Sequence, residues 1–210
     1  MPKPKLRLLS AKVICAAERH LSRADRVMAR LIVDYGKCPL ARRDDSPFHT
    51  LVSSIINQQL SSKAADTITG RLSEIAPMPF RPEDFLNAPI GSLRTAGLSW
   101  AKAAYIRNLA EQMTSGALNF DEMAYEEDER VMQALMALPG IGRWTAEMFL
   151  IFGLKRPDVL AIGDAGFRRA ARMLYGDKEP AELLTKMGAA WSPYRSVASW
   201  YLWRHLDGPD

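Results

Sequence analysis

Cysteine is scarce in this chain of 210 residues: Cys15 and Cys38 are the only two, in unrelated contexts. Two such residues build neither a disulfide framework nor a metal-ligand cluster. The three histidines, His20, His49 and His205, are scattered, and none falls at zinc-ligand spacing. No run of about 18 apolar residues occurs, so no membrane-spanning helix is expected. The opening Met-Pro-Lys-Pro-Lys-Leu-Arg is basic but holds no apolar core of signal-peptide length. Alternating apolar–polar stretches are essentially missing, which argues against strands. No internal repeat or low-complexity tract stands out. The expectation is a protein of a reducing compartment that does not associate with membranes.

What the chain has is apolar content and a small positive excess. At 48% hydrophobic residues it can fill a globular core, as one large domain or two small lobes. Its 28 Lys and Arg against 24 Asp and Glu leave a formal charge of +4, compatible with a polyanionic partner without requiring one.

The periodicity is helical almost throughout. Ser22 and Asp25 read as a capping pair for a helix ending at Tyr35, where Gly36 stops it. From Phe48 to Gln58, Leu51, Val52, Ile55 and Ile56 fall at helical spacing. Gln58-Gln59-Leu60 breaks that pattern, and Ser61 or Ser62 caps the next helix through Ala64, Ala65 and Ile68. Pro77, Pro79 and Pro82 mark a loop. Short helices follow near Pro82 to Asn87 and Ile90 to Ala96. Trp100 to Thr114 is a longer one, with Tyr105, Leu109 and Met113 on one face. Lys155-Arg156-Pro157 interrupts the chain, Asp164 caps a helix running to Tyr175, and Ala181 to Met187 and Pro193 to Leu206 complete the set. The expected fold is all-α with two helical lobes and a substrate cleft between them. The central lobe spans about 47–152, and the second joins about 8–46 to 153–210.

Between the helical runs Glu127 to Ala137 and Arg143 to Phe152 lies Leu138-Pro139-Gly140-Ile141-Gly142, which makes the unit helix, hairpin, helix. A tight turn opening a helix presents unpaired backbone N–H groups at the positive end of the helix dipole. Such a place binds an anion, most simply a phosphate. An ordinary glycine turn between two helices has the same local sequence, so this stretch alone does not decide between them. Asp164 is similarly two-sided: a carboxylate there caps the helix after it, and a fixed carboxylate also stabilises positive charge developing nearby.

Taken together, Leu138-Pro139-Gly140-Ile141-Gly142-Arg143-Trp144-Thr145-Ala146 followed by Asp164 resembles the helix-hairpin-helix, glycine/proline-rich loop and aspartate signature of DNA glycosylases. More narrowly it resembles the alkylbase type, the 3-methyladenine DNA glycosylase II family. Ile55-Ile56-Asn57-Gln58-Gln59-Leu60-Ser61, Gly97-Leu98-Ser99 with Lys102 and Tyr105, and Arg195-Ser196 with Trp200 and Trp203 support it. The resemblance runs from about Ser22 to Leu206.

The resemblance implies a hydrolase that cuts the N-glycosidic bond of alkylated purines in base excision repair, with damaged double-stranded DNA as partner. It implies a monomer, cytoplasmic and beside the nucleoid in a prokaryote or nuclear in a eukaryote. The hairpin, Gly140, Ile141, Gly142, Arg143 and Thr145, would hold one DNA phosphate, which positions the enzyme without reading sequence. A Na+ or K+ ion would bridge the carbonyls of Met136, Leu138 and Gly140 to that phosphate, with no metal held by side chains and no cofactor required. Asp164 would stabilise the oxocarbenium-like sugar and orient or deprotonate the attacking water. Trp144, Trp203, Tyr105 and Trp200 are the candidates for an aromatic pocket, since electron-rich rings attract a cationic purine by about 0.5–2 kcal/mol per good contact. Gln59 or Leu60 would fill the gap left when the damaged base is flipped from the duplex. Lys102, Arg143, Arg168 and Arg169 are candidate phosphate contacts.

The chain departs from its look-alikes at several positions, and the first two departures narrow the class. Glycosylase-lyases that resemble this motif have a nucleophilic lysine where this chain has Trp144, and four C-terminal cysteines for an iron–sulfur cluster, whereas here none follows Cys38. The alkylbase relatives usually carry two consecutive aspartates where this chain has Gly163-Asp164, and proline where it has Ala161. Other readings of the same motif are a non-catalytic helix-hairpin-helix DNA-binding module and a same-fold glycosylase for mismatched or oxidised bases. With Trp144 in the lysine position, incubation with damaged DNA will give no strand nicking unless alkali or heat is added; spontaneous nicks would refute the monofunctional assignment.

Overall fold

The computed structural model describes residues 8–42, 46–176 and 180–208, and among these there is helix and turn but no strand. No helix among them is long and apolar enough to cross a membrane. The chain divides into two compact units: described residues 46–149 form one, and 8–42 with 150–208 form the other.

In the second unit, α1 (Ala11–Ala24) is capped by Ser10, whose hydroxyl accepts from Val13 N, and buries Ile14, Ala17 and Leu21 on one face. Asp25 ends α1 and caps α2 (Arg26–Tyr35), accepting from Val27 N at 2.8 Å. This corrects the expected capping pair: Ser22 lies inside α1, and Asp25 acts alone. Asp25 is buried because its other oxygen takes the hydroxyl of Tyr175 (2.7 Å) and the indole N–H of Trp191 (2.9 Å). One cap thus pins the corner between two helices to two more, since a buried carboxylate must find such donors.

In the first unit, α3 (Pro47–Asn57) is the central helix, with Phe48, Leu51, Val52, Ile55 and Ile56 buried. Ser46 caps it and Pro47 sits in its first turn, where a missing N–H costs nothing. Against it pack α4 (Ser62–Ser73, capped by Ser61) and α7 (Trp100–Thr114), and on α7 lie α5 (Pro82–Asn87) and α6 (Ile90–Thr95). Phe48, Phe80 and Phe85 meet edge to face with centroids 5.4–5.9 Å apart. The face of α7 that enters the core is Ala103, Ile106, Leu109 and Ala110, so of the expected one-face set Tyr105, Leu109 and Met113 only Leu109 is fully buried. Small alanines let α7 lie close against its neighbours, which leaves Tyr105 half-buried. A four-residue α8 (Phe120–Met123), capped by Asn119, is too short to show a period in the sequence.

The hairpin joins α9 (Asp128–Met136) to α10 (Arg143–Met148). The helical run does not stay α-helical to Phe152: from Phe149 to Gly153 it widens into a π turn. Asp164 caps α11 (Ala165–Tyr175), which Gly176 ends in a left-handed conformation. α12 (Pro180–Trp191) runs past the expected Met187, and α13 (Arg195–Asp207) starts after Pro193 rather than at it. Trp191 is fully buried.

The start of α13 is fixed by Asp158. The Arg195 guanidinium binds it through two bonds of 2.7 and 2.9 Å, and Ser192 Oγ and Arg195 N add two more. Burial pushes the Asp158 carboxyl up, but these donors outweigh it and hold it below the usual carboxylate range. A depressed folded value stabilises the fold above the unfolded pKa, about 3.9, and that stabilisation is lost as pH falls through the folded value. Asp158→Asn is therefore expected to lower unfolding stability by about 1–2 kcal/mol between pH 5 and 8. In urea titrations the gap to wild type closes below about pH 4; a gap unchanged there contradicts the assignment.

Candidate nucleic-acid interface and active site

The hairpin turn is built on a backbone that only glycine tolerates. Gly140 has φ +79°, and a Cβ placed on it would lie 2.0 Å from Cδ2 of Tyr105, inside the ring. The half-buried ring of Tyr105 therefore packs directly on the hairpin backbone. Ile141 N donates to Leu138 O within the turn, and the Ile141 side chain is buried. Gly142 is the extended residue before α10, and the first bond of that helix is Ala146 N to Gly142 O. The N–H groups of the first turn thus precede the helical ladder and stand at its positive end.

Gln58, the last residue of the apolar α3 pattern, reaches into this turn. Its Nε2 donates to Gly140 O at 2.9 Å and to Thr145 Oγ1 at 3.0 Å. Thr145 is buried, so anything it offers outward passes through the backbone. Arg143 is exposed and its Nε pairs with the buried Glu147 at 2.9 Å. Trp144 lies half-buried on α10.

Beyond Gln58 the chain turns sharply. Gln59 has φ +58°, unusual for a residue with a side chain, and both Gln59 and Leu60 are exposed. Lys102, which the sequence offers as a phosphate contact, turns inward: its Nζ donates to the carbonyls of Ile56 (2.8 Å) and Gln58 (2.7 Å). Desolvation pushes the Lys102 ammonium below its ordinary value.

In the other unit Asp164 is clamped. Its Oδ1 accepts from Phe167 N at 2.6 Å, the expected cap, and from the indole Nε1–H of Trp203 at 2.8 Å. The Trp203 ring is half-buried between Phe152 (centroids 5.7 Å, 33°) and Phe167 (6.1 Å, 54°). Gly166 makes room for this clamp, because a Cβ there would come within 3.2 Å of Asp164 Oδ1 and 3.6 Å of the Trp203 ring. Trp200 meets Tyr201 edge-on at 4.9 Å.

The structure thus joins Tyr105 to the hairpin and Trp203 to Asp164. Sequence reasoning missed Gln58, Gly166 and the inward role of Lys102. A glutamine closing an apolar helix run was a usable signal for the first. Gly166 had none, since its clearance depends on Trp203, far along the chain.

Gly140→Ala is expected to cost about 2–4 kcal/mol in urea unfolding, from the positive φ and the clash with Tyr105. In a Tyr105→Ala background the same change should cost only the conformational part, about 1–2 kcal/mol. An equal loss in both backgrounds contradicts the close approach.

Known proteins resemble this chain in sequence and fold. Residues 52–193 match the HhH-GPD superfamily of base excision DNA repair proteins. The chain is 34% identical over 196 residues to DNA-3-methyladenine glycosylase 1 of Schizosaccharomyces pombe, covering 90% of this chain and 86% of that protein. A crystal structure of a DNA-3-methyladenine glycosidase from Bacillus halodurans superposes with a TM-score of 0.76 at 38% identity, over 97% of this chain and 94% of that one. The S. pombe 3-methyladenine DNA glycosylase Mag1 in complex with abasic DNA superposes with a TM-score of 0.81 at 31% identity, over 91% and 97%. With the family model spanning more than half of its residues, the chain belongs to the HhH-GPD superfamily of base excision DNA repair proteins.

Proposed function

We propose that this protein is a monofunctional DNA glycosylase that hydrolyses the N-glycosidic bond of alkylated purines in damaged duplex DNA. The observation that carries the reading is the Asp164 carboxylate, held by two donors downstream of a glycine hairpin in a chain of this repair family. A module that only grips phosphates needs no such fixed charge. The relatives named above, 3-methyladenine glycosylases, support the substrate class, and the Mag1 complex holds abasic DNA, the kind of DNA that this hydrolysis leaves behind.

In this reading the hairpin N–H groups seat one phosphate, and the damaged nucleotide leaves the stack. As the bond from C1′ to the base nitrogen breaks, the base takes the electron pair and the sugar gains oxocarbenium character. The Asp164 carboxylate stabilises that positive charge where it develops. Water adds to C1′, and its proton passes to the carboxylate or to solvent. A purine already cationic through alkylation is a good leaving group, so no strong general acid is demanded. Trp144 supplies an aromatic face for that cation.

The hairpin carbonyls also suit a Na+ or K+ ion. Leu138 O and Gly140 O each accept one hydrogen bond, from Ile141 N and Gln58 Nε2, and a carbonyl has a second lone pair. With Met136 O they form a neutral oxygen set fit for a hard monovalent cation, which would add positive charge facing the phosphate.

The wild type is expected to release free 3-methyladenine and 7-methylguanine from methylated duplex DNA, and Asp164→Asn to do so about 10²–10³-fold more slowly. No release by the wild type sinks the substrate class; release by Asp164→Asn at the wild-type rate sinks the role of the carboxylate.

A further inference from the structure

Lysine in the first turn of a helix is electrostatically misplaced, because it faces the positive end of the dipole. Lys102 is the third residue of α7, yet its chain bends away to the C-terminal end of α3. There it takes two of the last carbonyls of that helix, Ile56 O and Gln58 O, where a cation is favoured. An ammonium held this way on backbone oxygens has little left to give a phosphate.

The place it grips is unusual. Gln58 O belongs to the peptide from which Gln59 starts its left-handed φ of +58°. Such a conformation in a residue with a side chain is strained and persists only where the surroundings over-determine it. Here they do so from two sides. Lys102 holds the backbone of Gln58, and Gly140 O with Thr145 Oγ1 holds its side chain. Leu60 N closes the turn on Asn57 O at 3.2 Å. The exposed Gln59–Leu60 tip is thus a stiff projection anchored to α7 and to the hairpin.

We infer that Lys102 is a positioning residue for base opening, fixing the Gln59–Leu60 turn through the carbonyls of Ile56 and Gln58. This rests on the glycosylase reading, with Gln59 or Leu60 filling the gap left by the flipped base. A stiff tip transmits binding energy into unstacking, whereas a loose one must be ordered during insertion.

The test uses single-turnover excision of 7-methylguanine from two duplexes, one with the lesion paired to cytosine and one with it facing an abasic site. The phosphates are the same, but the second needs little pairing broken. Lys102→Met is expected to lose about 10–100-fold on the paired duplex and no more than about threefold on the other. Leu60→Ala or Gln59→Ala is expected to show the same split, and Lys102→Met added to whichever does so should cost less than about twofold more.

Equal losses on both duplexes, with a shallower salt dependence, would make Lys102 a phosphate contact and overturn the inference. A split in a tip variant but not in Lys102→Met overturns the clamp alone. No split in any variant removes the wedge reading and the clamp together. Should Lys102→Met not fold, Lys102→Gln, which keeps an amide donor, is expected to show a smaller split of the same kind, and its absence counts equally against the inference.

Discussion

One carboxylate oxygen, Oδ1 of Asp164, takes two hydrogen bonds from different helices: Phe167 N at the start of α11 and the indole N–H of Trp203 in α13. The first is the ordinary cost-saving of a helix N-cap. The second makes the position of the carboxylate depend on how α13 lies on α11. Much of that unit serves this registration. Asp158 and Arg195 fix where α13 begins, Phe152 and Phe167 flank the indole, and Gly166 keeps the space clear. Electrostatic stabilisation works only where a charge is already in place when the opposite charge appears, so rigidity here bears directly on the proposed chemistry.

The other unit is organised by a second close approach, backbone against side chain. Gly140 lets the Tyr105 ring touch the hairpin, and Gln58 joins the hairpin to the end of α3. The Tyr105 contact and the positive φ both need a residue without a Cβ, which explains a glycine at 140 more firmly than phosphate binding alone. Gly142 is different: its φ is an extended one, and nothing lies within 4 Å of a Cβ built there.

Those elements whose signals are local were legible in the sequence. The cap at Asp164, the cap at Ser61 (one of the two serines offered, with Ser62), the stop at Gly36 and the apolar stripe of α3 were legible, because a cap or a stripe is decided within a turn or two. The expected role of Ser22 failed because α1 runs on through it to Ala24, and the burial of Asp25 was hidden because it comes from distant partners, Tyr175 and Trp191. The same reason hid the bond from Trp203 to Asp164 and the inward course of Lys102. Aromatic residues were read as pocket candidates by type, but a tryptophan has both a face and an N–H, and which one matters depends on tertiary packing. Trp203 turns its N–H to the carboxylate, and Tyr105 supports the hairpin.

The central claim is that a fixed negative charge at Asp164 stabilises a cationic sugar. The most direct measurement is the affinity for two duplexes that each carry a sugar mimic at one site, a cationic pyrrolidine or a neutral tetrahydrofuran. The wild type is predicted to prefer the cationic mimic by about tenfold or more, and Asp164→Asn to bind the two about equally. An undiminished preference in Asp164→Asn would show that the stabilising charge lies elsewhere.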